Sequence, residues 1–368
     1  MKYLHVLLIF VPIAILAGLL RLDPVIVFFA SSLAMIPLAG LLGEATEELA
    51  EATGPKVGGF LNATFGNAVE LIITIAALRA GKYTLVKASI TGSILGNILM
   101  VLGFSMLLGG LRNGLLKYDR TLAGVHSTMM ILAVIGLIVP TVFVSSHKAE
   151  NLGRDLTSAS IGVAGILLFM YALALVFTFS KNPFDADSRD PPTPGAGKAE
   201  TGGGAEEVES SPRGGRGVAI PVTVLAISAA LVVVLSELLV GAVEPVVRQC
   251  GISEFFIGII LVPIVGNVAE HIVGVQMALK NRMDLSLSIA FGSSMQIALF
   301  VAPVAVLLSL FVGPAPMDLC FHAFEVIALA LGVLIAALIS LDGESHWLEG
   351  AQLLAVYAIF GVAFFYMK

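Results

Sequence analysis

Charge is scarce in this 368-residue chain: Asp, Glu, Lys and Arg together make up 12%, about half the share of a soluble domain. A water-soluble globular fold is excluded on that ground. Basic clusters are missing and the net charge is −6, which argues against nucleic acid as a partner. Only two cysteines occur, Cys250 and Cys320, without a CxxC spacing. No disulfide framework or soft-metal thiolate site is expected from them. There is no HExxH, P-loop, Ser/His pair or aspartate-rich phosphate motif, so an intramembrane enzyme is not expected. Strand-like alternation is absent too, which excludes a β-barrel.

What the chain has is apolar length. It is 58% hydrophobic with a mean hydropathy of +0.99, and runs above the roughly 18-residue spanning threshold recur from end to end. Eleven transmembrane helices are predicted, near 3–20, 24–46, 57–79, 85–110, 121–146, 155–180, 218–247, 254–280, 284–312, 317–341 and 347–367. The first run has only Lys2 ahead of it and no small-residue cleavage site, so it reads as a retained helix rather than a signal sequence. Residues 181–217 break the pattern with Pro191, Pro192, Pro194, the run Gly202 to Gly204 and the acidic group Glu206, Glu207 and Glu209. Such a composition reads as a flexible linker. The expected organisation is an N-terminal extra helix in 1–23, five helices in 24–180, the linker, and five helices in 218–368.

The two halves repeat one motif. Gly66-Asn67-Ala68-Val69-Glu70 in the first returns as Gly266-Asn267-Val268-Ala269-Glu270 in the second. Gly92-Ser93 lies 22 residues after the first glutamate and Gly292-Ser293 lies 22 after the second. Ala45-Thr46-Glu47 matches Ala242-Val243-Glu244 upstream. A repeat of five spans is odd, so the second copy enters the membrane with the opposite orientation. Glu70 and Glu270 would then sit on antiparallel spans and reach one depth near the midplane. Outside the linker, Lys and Arg divide almost evenly between the two sides, so the positive-inside rule gives no absolute orientation.

A carboxylate in mid-membrane costs roughly 2.5–3.5 kcal/mol on insertion scales and is a functional group by default. Gly and Asn weaken a helix, so an interruption is expected at each motif, with freed carbonyls lining a cavity. Pro263 adds a kink device to the second copy. Asn67 and Asn267 offer amide oxygens one turn from the carboxylates. The donors are all oxygen, which suits a hard cation such as Ca²⁺ rather than Zn²⁺ or Cu²⁺. Two glutamates are neutralised by one divalent cation or by two protons, which is the elementary requirement of an exchanger. Glu70 and Glu270, with Asn67 and Asn267, are the expected metal and proton site. Gly66, Gly266, Ser93, Asn97, Ser293, Gln296 and His271 are expected to line it. Glu47, in the cluster Glu44, Glu47, Glu48 and Glu51, and its mate Glu244 are expected at a cation-attracting vestibule. Glu237 and Glu325 fall within spans without repeat mates and are candidates for a helper role such as proton access. His5, His126, His147, His322 and His346 read as peripheral.

At these residues the chain resembles the Ca²⁺/H⁺ exchanger family of the cation/Ca²⁺ exchanger superfamily. Residues 58–72 resemble its first repeat signature, Val262 to His271 its second, and Asp342 to Gly350 its last loop. The resemblance implies eleven helices, a cytosolic N-terminus, Glu70 and Glu270 as the cation- and proton-binding pair, and Ca²⁺ movement driven by a proton gradient. Related Na⁺/Ca²⁺ exchangers carry an acidic or amide residue four after the second-repeat serine, where this chain has Ile297. That favours H⁺ over Na⁺. The implied setting is a multi-pass protein of an inner or plasma membrane or of an acidic organelle, with the lipid bilayer as partner and Ca²⁺ and H⁺ as cargo rather than cofactors. A homo-oligomer is compatible with the sequence. The rival readings are Na⁺/Ca²⁺ exchange, exchange of Mn²⁺ or another divalent ion for H⁺, and a cation channel.

Overall fold

The computed structural model describes residues 4–146, 152–179 and 218–367. The linker of 181–217 and His147 lie outside these residues. The described chain is all-helical apart from one two-stranded ladder. The helices are α1 (Phe10–Leu19), α2 (Pro24–Thr53), α3 (Pro55–Phe65), α4 (Ala68–Arg79), α5 (Tyr83–Leu95), α6 (Leu102–Asn113), α7 (Arg120–Ser146) and α8 (Leu152–Phe179). The second half holds α9 (Ala219–Cys250), α10 (Glu254–Phe256), α11 (Val262–Leu279), α12 (Met283–Gln296), α13 (Ala302–Ser309), α14 (Ala323–Ile339) and α15 (Trp347–Tyr366). Wide π turns at Gly96–Val101, Ile257–Leu261 and Ile297–Val301 join α5 to α6, α10 to α11 and α12 to α13.

Among the described residues, eight continuous helical rods are long and apolar enough to cross a membrane, and two shorter apolar helices, His5–Leu19 and Ala323–Ile339, accompany them. The predicted third span is divided between α3 and α4. Large apolar side chains are exposed on the outer helices, for example Ile166, Phe169, Val176, Ile359 and Val362. In a soluble protein such a surface would aggregate; against lipid it is the expected solvent face. The predicted tenth span begins late: Met317 to His322 is non-helical, and α14 starts only at Ala323. Ser160 and Thr141 hydroxyls serve the backbone there, accepting from Leu319 N–H at 3.0 Å and Phe321 N–H at 2.9 Å. Side chains thus replace the helical bonds this buried segment lacks.

One turn recurs at a spacing of 200 residues, and a third copy closes α1 at Arg21. The Lys82 N–H bonds Ala77 O at 2.9 Å and the Gly81 N–H bonds Leu78 O at 3.0 Å. The Arg282 N–H bonds Met277 O at 2.9 Å and the Asn281 N–H bonds Ala278 O at 3.0 Å. Both are helix ends of the Schellman type, which need a left-handed residue. Gly81 (φ 71°) and Asn281 (φ 60°) supply it.

The halves are interleaved. α2 packs along α9, α4 also lies on α9, α6 packs on both α11 and α15, and α7 lies on α14. A short ladder ties two loops together: β1 (Leu116–Lys117) pairs antiparallel with β2 (Glu344–Ser345). The Tyr118 hydroxyl lies 3.0 Å from the carbonyls of both Ile339 and Glu344. Burial and the nearby carboxylates of Asp342, Glu349 and Glu344 push its phenol above the usual range.

Candidate ion site

Gly66 and Asn67 break the third span. α3 ends at Phe65, Asn67 has φ −111° and ψ 34°, and α4 starts at Ala68. Asn67 occupies the N-cap of α4 yet makes no side-chain cap bond. Its amide is used across the molecule instead. Asn67 Nδ2 donates to Gln296 Oε1, and Asn67 Oδ1 accepts from the Ser293 hydroxyl at 3.1 Å. Asn97 Nδ2 in turn donates to Ser293 Oγ at 3.0 Å.

The second motif differs. Gly266-Asn267 is expected to interrupt its helix as well, but α11 runs unbroken from Val262 through both residues to Leu279. The irregularity has moved upstream, to the π turn at Ile257–Leu261. Pro263 lies within the continuous rod Glu254–Leu279, and its missing N–H and its ring bear on the carbonyl four residues back, Ile259, so its effect falls on the π turn and not on Gly266-Asn267. Asn267 Nδ2 donates to Pro263 O at 3.0 Å and to Ser93 Oγ at 3.1 Å. Each motif asparagine therefore bonds the serine of the other half: Asn67 with Ser293 and Asn267 with Ser93.

The two carboxylates meet inside this frame. Glu70 stands in the first turn of α4 and is only 7% exposed. Its Oε1 lies 2.8 Å from the point where a β-carbon on Gly266 would be, so it rests against the turn of α11 that precedes Glu270. Two buried oxygens in the cluster, Glu270 Oε2 and Asn267 Oδ1, have no protein partner. No group of three or more His, Cys, Asp or Glu side chains suited to a metal occurs among the described residues. The donor set here is two carboxylates supplemented by neutral amide and hydroxyl oxygens, which is hard-cation chemistry.

The two halves pack differently beside the site. Gly92 of α5 is pressed onto the 257–261 turn: a β-carbon there would lie 2.0 Å from Ile259 O and 2.7 Å from Pro263 Cγ. Its mate Gly292 has nothing within 4 Å. Gly66 is exposed and Glu270 partly so.

Other expected residues are placed apart from this cluster. His271 is adjacent to Glu270 in sequence, and its Nε2 is buried without a partner. Glu47 is exposed on the last turns of α2. Glu244 forms a surface pair with Arg248 one turn on, at 2.5 Å, and does not share a bond with Glu47. Glu237 pairs with Arg79 at 2.9 Å, both exposed. His126 is not peripheral: its ring stacks on the buried Phe291 of α12, with 6.2 Å between centroids. His322 and His346 are the N-caps of α14 and α15. The reciprocal Asn–Ser exchange is a feature that the sequence does not announce. The equal 22-residue spacing from glutamate to Gly-Ser in both halves is its one signal.

Comparison with known proteins follows the same lines. A Ca²⁺/H⁺ antiporter of Aphanothece halophytica is 44% identical, over 98% of this chain and 95% of that protein. The Ca²⁺/H⁺ antiporter ChaA of Bacillus subtilis is 40% identical over 96% of each. The solved structure of native YfkE superposes with a TM-score of 0.82 at 36% identity, covering 99% of both chains. The sodium-calcium exchanger NCX_Mj shares the fold at 19% identity and a TM-score of 0.55. The profile of the sodium/calcium exchanger protein family matches residues 24–180 and again 220–366, and the chain belongs to that family.

Proposed function

We propose that this protein exchanges Ca²⁺ for H⁺ across a membrane by alternating access, with Glu70 and Glu270 as one shared load site. The observation that carries the reading is Glu70 of one half packed against Gly266 of the other, one turn before Glu270, among neutral amides and hydroxyls and beside buried oxygens without a protein partner. Vacant, that pair is costly to carry through a low-dielectric barrier; with one Ca²⁺ or two H⁺ it is neutral. Asn67, Asn267 and the oxygens around them would complete the 6–8 ligands that Ca²⁺ takes. Ser93, Ser293, Asn97 and Gln296 hold the two amides in place. Ile297, at 1% exposure, offers no oxygen where a Na⁺ ligand would be needed, so H⁺ is the coupling ion. Relatives named Ca²⁺/H⁺ antiporter at 44% and 40% identity support this choice.

Residues 24–180 and 218–368 are read as two inverted five-helix repeats. The twin turns 200 residues apart and the twofold family match support that division. The seal at Gly92 and the gap at Gly292 are then one contact, made in one half and open in the other. Exchange of those states between the halves would expose the site first to one side and then to the other.

The test is ⁴⁵Ca²⁺ uptake into proteoliposomes containing only this protein, under an imposed pH gradient and then an imposed Na⁺ gradient. Uptake driven by the pH gradient and indifferent to Na⁺ is expected. Glu70→Gln and Glu270→Gln should each abolish it while eluting as folded protein. Wild-type transport by either variant would sink the shared site.

A further inference from the structure

A cavity of about 500 Å³ lies between the start of α5, α10 and the segment leading into α14. Its lining on α5 runs from Tyr83 to Lys87 and does not include Glu70 or Glu270. Two carboxylates, Glu254 and Glu325, lie in its wall, and Glu325 is the buried one. Glu325 is 2% exposed. Its Oε1 accepts from the Thr91 hydroxyl at 3.0 Å and its Oε2 from the His322 N–H at 2.8 Å.

The second of these bonds is half of a capping box that starts α14. Capping alone does not require burial, and a surface glutamate at this position caps equally well. The first bond ties Glu325 to α5, where Thr91, Gly92 and Ser93 follow one another. Thr91 touches the cavity carboxylate, Gly92 forms the seal, and Ser93 bonds Asn267 of the ion site. Nor is Glu325 bound by the nearby cation: the Lys87 ammonium is held by Asp318 at 2.5 Å and by Cys320 O at 2.8 Å. Both hydrogen bonds to this carboxylate come from neutral donors.

We infer that Glu325 is the proton-binding carboxylate of this cavity, taking a proton from its water and, through its bond to Thr91, acting on α5, the helix that carries Ser93 of the ion site. The O–H bond forms on Glu325 as a hydronium ion gives up its proton, and it breaks when water in the cavity takes the proton back. The other ionisable groups facing the cavity are Tyr83 and Lys87 on α5, Glu254 on α10, and Cys320 and His322 ahead of α14, with Asp318 behind Lys87.

The inference rests on the Ca²⁺/H⁺ reading, and the experiment separates the two. Uptake of ⁴⁵Ca²⁺ in proteoliposomes is measured against the pH on the cavity side for the wild type, Glu325→Gln and Thr91→Val. The wild type must show proton-driven uptake; if it shows none, the exchange reading fails first. For Glu325→Gln the half-maximal rate should move to lower pH by about one unit, the tenfold step expected when one proton-binding group is lost. The maximal rate and the Ca²⁺ affinity should be kept, and Glu325→Asp should restore most of the shift. Thr91→Val, which removes one hydroxyl and leaves the α14 cap intact, should shift the same way. An unshifted pH profile in folded variants, or a loss of rate equal at every pH, would overturn the inference.

Discussion

A methyl group added at Gly266 would stand 2.8 Å from Glu70 Oε1 and 3.5 Å from its carboxyl carbon, with no backbone atom near it. The end of a glutamate side chain gives way readily, so Gly266→Ala should leave the fold intact. It should also push one of the two carboxylates off its place. The expected result is Ca²⁺ affinity weaker by about 10–100-fold, the range seen when groups that orient metal ligands are altered. The thermal midpoint should stay within about 2 °C of the wild type. Scintillation binding of ⁴⁵Ca²⁺ beside a thermal melt reads both quantities. The carboxylates themselves are legible in the sequence, because a charge in each of two apolar segments is too costly to be incidental. Their partners are not. That Asn67 bonds Ser293 while Asn267 bonds Ser93 depends on how the halves cross, and no local pattern encodes a crossing.

At the scale of helices and turns, the break after Phe65 can be read from Gly66-Asn67, since both residues weaken a helix. At 266–267 the same pair leaves the helix whole, because local propensity is a weak prior and packing decides. Ile257–Leu261 is the segment that widens, and its mark in the sequence is Pro263, whose ring bears on the carbonyl four residues back, Ile259. The late start of α14 is hidden, since Met317 to His322 is apolar enough to pass for helix. The difference between the repeats becomes a test through Gly92 and Gly292. Gly92→Ala sets a β-carbon 2.0 Å from the Ile259 carbonyl oxygen, and backbone cannot step aside as a side chain can. It should destabilise by about 1–3 kcal/mol, the usual range for overpacking. Gly292→Ala meets nothing, and trading Gly for Ala in a helix gains up to about 1 kcal/mol. It should therefore fold at least as well as the wild type. Its turnover should nevertheless fall, because the opposite state of the exchanger needs Gly292 where Gly92 now is. A thermal melt paired with the uptake assay separates the two variants. Full turnover in Gly292→Ala would mean that the halves do not trade conformations.

For the molecule as a whole, the dominant feature is the dependence of each half on the other. α2 lies along α9, and α6 reaches both α11 and α15. The buried Asn67 has its two side-chain partners, Ser293 and Gln296, in the second half. Asn267 bonds Ser93 in the first. Lys87, Tyr83 and Thr91 of the first half bind Asp318, Ala315 and Glu325 of the second. Separated, either half would bare one long face of α2 or α9 and leave a buried amide short of partners, at roughly 1–3 kcal/mol for each unmet group. The apolar face alone could be covered by lipid; the amides could not, because hydrocarbon offers them no hydrogen bond. Residues 1–180 or 218–368 expressed singly should therefore give aggregated or degraded protein. The two expressed together as separate chains should co-purify as one species and restore Ca²⁺ uptake, because none of these cross-half contacts requires a covalent link. Size-exclusion chromatography of a tagged first half, probed for the second, reads the outcome. A stable, monodisperse half on its own would show that the cross-half bonds are decoration on two independent bundles. In that case the site between them would not be held as rigidly as a two-carboxylate ion site requires.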